Sequence, residues 1–322
     1  MNLHNDKAIF TEAIRTTADE LGMAQEFVEK DYWICQILQR LSRHPISDRI
    51  VWKGGTSLSK GYGLIKRFSS DVDFAILSEG LSQNQQKKLV MRIGKETTAD
   101  LNEIEVPDKT IKNNRFRKTY HEYGSVLERR TRQLGFLGSH VVVEINTYGN
   151  PHPYEKKKIS SFIAEMMARR GLADMIDRYD MEPFELNILD KRRTLCEKVV
   201  SLLRFSFEED PAAGLSSKIR HFYDIHFLML DYDCGEYLRS IFPAELKALV
   251  EHDKAEFDRP PLWKSSPVLS SPLLTDFDEI WHKISSVYRA EVGALSYGEI
   301  PSDDMIASTF KILLPIIENA LK

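Results

Sequence analysis

Two aspartates, Asp71 and Asp73, stand two residues apart in Asp71-Val72-Asp73-Phe74. On a strand, alternate side chains share a face, so both carboxylates project the same way at a Cα spacing of ~6.6 Å. Two like charges at that distance repel by roughly 2.5 kcal/mol at an effective dielectric of ~20. A divalent cation turns that cost into a binding site, and a metal-bound triphosphate is a ligand such a pair can hold. Alone, the pair is a weak signal, because two exposed aspartates on an edge strand are at least as common. Here it follows Lys53-Gly54-Gly55-Thr56-Ser57. Paired glycines after a strand let the backbone approach a phosphate chain, and Thr56 and Ser57 open a helix, offering N–H and hydroxyl donors to an anion. The run Gly54 to Lys60 is not a P-loop, which needs Gly directly before the Lys, where this chain has Ser59.

A third carboxylate would complete a two-metal site, and Glu144 is the candidate. It interrupts the apolar run Val141-Val142-Val143-Glu144-Ile145, where an acid needs a partner. That partner is either a metal ion or a basic side chain in a salt bridge, and both readings stand at this point.

The elements that must position these residues follow from periodicity. Asn5 or Asp6 can cap a helix ending near Gly22, and a second helix runs from Ala24 to about Arg43, stopping before Pro45. Its residues Phe27, Ile34, Ile37, Leu38 and Leu41 mark an apolar face. Strand signals occur at Ile50-Val51-Trp52, Val72 to Leu77, Phe116 to Tyr123, His140 to Thr147 and Phe184 to Leu189. A polar helix is expected from Ser82 to about Glu103. From Thr194 onward the helical period takes over, with last helices near 275–290 and 302–321. The order of helices, mixed elements and then helices predicts an α+β fold, with one domain over 1–190 and a mainly helical one over 191–322.

Composition limits the function classes. Of 322 residues, 42% are apolar and 29% charged, as in a folded globular chain. No apolar run approaches the ~20 residues needed to cross a bilayer, and Met1 to Phe10 lacks the apolar stretch of a signal peptide, so a cytoplasmic protein with no membrane partner is expected. Three cysteines, Cys35, Cys196 and Cys234, fit neither a disulfide framework nor a zinc site. The net charge of −4 is unevenly spread: residues 231–322 carry 16 acidic and 9 basic side chains, while Lys112 to Arg132 holds seven basic against two acidic. Further basic stretches lie at Lys156–Lys158 and Lys191–Arg193. Such stretches usually form a solvated face, but they are also the footprint of a polyanion site. Within the first, Phe116, Tyr120 and Tyr123 could stack on unpaired bases while Arg115 and Arg117 hold phosphates.

The ordered set of motifs resembles the nucleotidyltransferase superfamily, and specifically the AbiEii/AbiGii toxin family. The resemblance rests on the strand-Gly-Gly-Thr-Ser turn and Arg67-Phe68-Ser69-Ser70-Asp71-Val72-Asp73-Phe74. Glu29-Lys30-Asp31-Tyr32-Trp33, Glu197-Lys198-Val199-Val200 and Lys218-Ile219-Arg220-His221-Phe222-Tyr223-Asp224 resemble three further family motifs, although His221 stands where the last has Asp. The similarity covers about residues 20–230. It implies a nucleotidyltransferase-like mixed sheet flanked by helices, with a C-terminal helical bundle that contributes to the active-site cleft. It implies metal-dependent transfer of a nucleoside monophosphate from NTP, with Mg²⁺ or Mn²⁺. It further implies the toxin of a type IV toxin–antitoxin or phage-defence system, with RNA, tRNA 3′ ends among the candidates, as acceptor. The implied protein partner is a cognate antitoxin, often a winged-helix regulator.

By the same resemblance, Asp71 and Asp73 hold metal, Gly54, Gly55, Thr56 and Ser57 cradle triphosphate with Lys53 and Arg67 nearby, and Ser69 contacts phosphate or orients the acids. Lys198 neutralises triphosphate charge, and Asp224 supports the site. On their own, Lys198 and Asp224 are charged residues on amphipathic helices, ordinarily solvated. Glu29, Lys30 and Asp31 read as structural, bracing their helix against the core. The rival functions are nucleotidylation of a protein or small molecule, and a nucleotide-binding module without catalysis.

Overall fold

In a computed structural model of the chain, the described residues are 1–69, 71–127 and 138–322. They divide into two units: residues 1–62 with 68–189, and residues 63–67 with 190–322. No described helix is long and apolar enough to cross a membrane.

The first unit opens with α1 (Lys7–Leu21) and α2 (Gln25–Ser42). The Asp6 side chain accepts from Ile9 N at the start of α1, and Gly22 closes it in the left-handed region at φ 62°. The strands are β1 (Ile50–Lys53), β2 (Asp71–Ile76), β3 (Asn102–Ile104), β4 (Ile111–Lys112), β5 (Phe116–Glu122), β6 (His140–Asn146), β7 (Tyr154–Ile159) and β8 (Phe184–Leu189). Between them lie α3 (Gly55–Lys60), α4 (Gln83–Thr97), α5 (Phe162–Arg169) and α6 (Ala173–Arg178). One mixed sheet runs β3-β5-β6-β2-β1-β8-β7, with β4 also paired to β5. The β2–β6 and β1–β8 pairs are parallel and the others antiparallel. Val72, Phe74, Ile76, Val143 and Ile145 alternate onto one face and are buried. Helices α2 and α4 pack against these strands. The alternate residues of β2 and β6, among them Asp71, Asp73 and Glu144, point to the opposite face.

Two local features depart from the expectation. The polar helix begins at the Ser82 cap, closed by a reciprocal bond with Gln85, but ends at Thr97 rather than near Glu103. The Thr97 and Thr98 hydroxyls donate back to the Ile93 and Gly94 carbonyls, and residues 102–104 instead pair with β5. The Lys156–Lys158 stretch, which carries no element in the sequence reading, forms half of edge strand β7. Lysines on an edge strand discourage pairing with another chain.

The Glu29–Asp31 segment braces α2, as its sequence suggests. Glu29 accepts from Ser125 Oγ at 2.8 Å and Val126 N at 2.7 Å. Asp31 accepts from Phe162 N at 2.7 Å and lies 2.5 Å from Lys60 Nζ, with the lysine over the Phe162 ring. Both side chains of that ion pair are 4% exposed.

The second unit is helical: α7 (Lys191–Phe205), α8 (Pro211–Ser216), α9 (Ile219–Leu230), α10 (Tyr232–Arg239), α11 (Phe242–Glu256), α12 (Pro261–Ser265), α13 (Pro272–Thr275), α14 (Phe277–Leu295) and α15 (Asp303–Leu321). Phe222 of α9 packs on Trp281 and Phe310 at its centre. Residues 63–67 belong to this unit because Tyr297 N donates to the Lys66 carbonyl and Lys66 N donates to Tyr223 Oη.

A buried ion pair that loses one partner leaves an uncompensated charge, at a cost of about 3–5 kcal/mol. Asp31→Ala should therefore lower unfolding stability by about that amount in urea titrations. An unchanged midpoint would show that Lys60 reaches solvent once its partner is gone.

Candidate active site

The carboxylates on this second sheet face are set by register. Lys53 of β1 is opposite Asp73 of β2, Asp73 lies beside Glu144 of β6, and Glu144 is opposite Lys118 of β5. These four side chains form one row across four strands, in the order plus, minus, minus, plus, at ~4.8 Å per strand. Asp71 shares the face two residues from Asp73. Glu144 Oε1 lies 2.7 Å from Lys118 Nζ, so the ion pair expected as one of its two roles is present. To act as a third metal ligand, Glu144 would have to share that lysine. Burial, then the negative charges of Glu144 and Asp71, push the Asp73 carboxyl up to about 8, against the weaker pull of Lys53 and Lys118.

The turn before Asp73 is built to touch it. Gly54 has φ 88° and ψ −168°, a region open essentially to glycine alone. A Cβ placed there would come within 2.2 Å of Asp73 Oδ2. Thr56 Oγ1 donates to the Asp71 carbonyl at 2.8 Å, and Ser57 Oγ donates to the Gly54 carbonyl at 2.8 Å. Both hydroxyls therefore direct their protons to the backbone, where they brace the turn, rather than outward as the sequence suggests. Ser69 is buried beside them, its carbonyl facing Thr56 Oγ1 at 3.5 Å.

In the helical unit, Arg67 Nε and Nη2 donate to Asp224 Oδ1 and Oδ2 at 2.7 and 2.6 Å. Lys198 Nζ lies 2.7 Å from Asp224 Oδ2. Asp224 is fully buried and Lys198 is 6% exposed, so neither is the solvated helix residue its spacing suggests. Burial favours the neutral acid, but Arg67 and Lys198 outweigh it and hold Asp224 below the usual carboxylate range. His221, also within this cluster, is driven well below its ordinary value by burial and by Lys198.

The aromatic residues of the first basic stretch divide. Tyr120 and Tyr123 are buried, Tyr123 stacking on Trp33 at 5.4 Å and Tyr120 packing against His140, so neither ring is open to a base. Arg117 lies on the α4 face, its Nε 3.8 Å from where a Gly94 Cβ would stand, away from the carboxylates. Lys112 is paired with Glu103 and Glu105. Arg129, Arg130 and Arg132 lie outside the described residues.

Two hard oxygen donors on one face suit Mg²⁺, which takes one or two carboxylates and completes its shell with water and substrate phosphates. Among the described residues no three His, Cys, Asp or Glu side chains stand together as a metal cage. The donor set thus fits a cation that arrives with its triphosphate.

A glycine turn pressed against paired strand carboxylates in a mixed sheet is the framework of a nucleotidyltransferase. Residues 36–304 match the family described as nucleotidyl transferase AbiEii toxin, type IV TA system, and the chain belongs to that family. Among solved structures it is similar to MenT4, a nucleotidyltransferase toxin from Mycobacterium tuberculosis H37Rv. The TM-score is 0.52 at 14% identity, over 96% of this chain and 88% of that one, a likeness of fold. No curated protein sequence matches the chain.

Two predictions follow from these charges. An unfolded chain loses the Asp73 proton near 3.8 and the folded one keeps it to about 8, so this group's penalty grows as pH rises through that window. Asp73→Asn should raise the Tm of the metal-free protein near pH 8 and leave it nearly unchanged near pH 4; a pH-independent effect would contradict the assignment. Lys198→Ala removes one cation from a buried carboxylate and should destabilise the fold by on the order of 3 kcal/mol in denaturant titrations, where a solvated lysine would leave the midpoint in place.

Proposed function

We propose that this nucleotidyltransferase toxin is metal-dependent and uses Mg²⁺ or Mn²⁺ to transfer NMP from NTP to a hydroxyl of an RNA, tRNA 3′ ends among the candidates. It would act in the cytoplasm, restrained by a cognate antitoxin for which a winged-helix regulator is one form. The observation that carries this reading is the Lys53–Asp73–Glu144–Lys118 row with Asp71 beside it and Gly54 pressed against the Asp73 carboxylate.

In this reading Asp71 and Asp73 hold the cation, and Gly54 and Gly55 let the phosphate chain approach without a side chain in the way. Thr56 and Ser57 keep the turn in shape, and Ser69 holds the strand entry. Lys53 and Lys118 limit the repulsion among three acids, and Glu144 anchors Lys118. Bound, the metal neutralises charge on the triphosphate and on the departing pyrophosphate. Within the helical unit, Arg67 fixes Asp224, which orients the Lys198 ammonium, the cation that the family resemblance assigns to phosphate. The acceptor oxygen bonds to the α-phosphorus as the bond to the bridging oxygen breaks, so pyrophosphate leaves and the hydroxyl proton is released. Positioning and electrostatics account for the catalysis. The RNA acceptor is supported by the basic excess of residues 112–132.

Incubation with each α-labelled NTP, Mg²⁺ and total cellular RNA should place label on RNA, with transfer falling steeply as salt rises. The double variant Asp71→Asn/Asp73→Asn should abolish transfer while remaining folded. Equal transfer by that variant would overturn the metal assignment. Label on a protein or small metabolite, with none on RNA, would replace the RNA acceptor by that class.

A further inference from the structure

One buried polar group on the carboxylate face lacks a hydrogen-bond donor among the described residues. Asn146 is the residue of β6 two beyond Glu144, so its side chain shares that face. It is 9% exposed, and among the described residues its Oδ1 finds no hydrogen-bond donor. A buried amide oxygen without a donor forfeits a hydrogen bond that water would have supplied, which is rare in a native interior. Its register partners are Ala75 of β2, two residues beyond Asp73, and Phe116 of β5, two residues before Lys118.

A second observation adjoins it. Phe116 and Tyr148 are both half-buried and stack at 6.1 Å between centroids, with planes 21° apart. The Arg115 guanidinium lies 4.9 Å from the centre of the Tyr148 ring. Pairing of β5 with β6 continues through Thr147 N to the Arg115 carbonyl, which holds Tyr148 at that end of the two strands. Aromatic rings backed by a guanidinium are a surface on which a flat heteroaromatic ring stacks. An amide beside them can accept from a ring or exocyclic N–H.

We propose that Asn146, Phe116 and Tyr148 form the site for the nucleobase of the incoming NTP, with Asn146 Oδ1 accepting from an N–H on the base edge. The proposal rests on the reading that Asp71 and Asp73 hold the metal-bound triphosphate. Two strand residues separate this group from the Asp73–Glu144 level, about 6.6 Å along the sheet. That is the scale on which a nucleoside extends from its α-phosphate. The group therefore sets which NTP is used, while the carboxylates treat all triphosphates alike.

The test uses the full chain with Mg²⁺, the four NTPs, their 2′-deoxy counterparts and inorganic tripolyphosphate. Wild-type protein should rank the four bases. Asn146→Ala should lower kcat/KM for the preferred NTP about 3- to 10-fold, the value of one neutral hydrogen bond, and flatten the ranking. Tyr148→Leu, which keeps apolar bulk, should weaken all four NTPs by about 10-fold through lost stacking. Tripolyphosphate affinity should be unchanged in both variants, which also shows that they are folded. An unchanged ranking in Asn146→Ala would overturn the inference. So would a loss that follows the 2′-hydroxyl rather than the base, or one confined to the choice of acceptor. If wild-type protein binds neither NTP nor tripolyphosphate, the triphosphate reading itself fails, and the two failures are thereby distinguished.

Discussion

Among the described residues, three carboxylates and two ammonium groups crowd one face of the sheet, and that crowding governs the first unit. Among the described residues, Lys118 pairs with Glu144, Lys53 stands opposite Asp73, and Asp71 shares their face. Burial first, and then the negative charges of Glu144 and Asp71, hold the Asp73 proton far above the ordinary range. In the proposed function, a divalent cation would offset the repulsion among these acids. The surrounding details keep that face poised: glycine at position 54 because any side chain would strike the carboxylate, and a Thr56 hydroxyl that ties α3 to the backbone of β2. The apolar side chains on the opposite face of the same strands fix the register, since a slip of one residue would turn the aspartates into the core.

In the helical unit, Asp224 is a buried carboxylate facing both Arg67 and Lys198. Arg67 presents a fork of donors to two carboxylate oxygens, a geometry that lysine cannot reproduce. The acid is thereby ionised and fixed, and the lysine is fixed by the acid. Such a cluster suits an anionic ligand, in keeping with the phosphate chemistry of the family.

Much of this was legible in the chain because it depends on short-range rules. Alternation alone puts Asp71 and Asp73 on one face, and a Gly-Gly pair between a strand and a helix announces a backbone that something must approach. The α+β class follows from the order of periodicities, and the family from an ordered set of motifs. What sequence reasoning missed depends on distant partners. Arg67 and Asp224 are 157 positions apart, and nothing local marks either as buried. The aromatic spacing of Phe116, Tyr120 and Tyr123 suggested one stacking surface, but burial against His140 and Trp33 removed two of the three rings. Tyr148 and Asn146 carried no signal, because a single polar residue at the end of an apolar strand looks like a strand boundary. The early end of α4 reflects threonine hydroxyls that compete for the helix carbonyls, a choice that a polar, evenly charged segment leaves open.

The central claim is that Asp71 and Asp73 hold a divalent cation together with the triphosphate. Mn²⁺ binding, followed by electron paramagnetic resonance with a non-hydrolysable NTP analogue present, tests it directly. The protein and the analogue together should immobilise Mn²⁺ far more strongly than either does alone, and Asp73→Asn should abolish the difference while the protein stays folded. Undiminished Mn²⁺ immobilisation by the folded variant would contradict it.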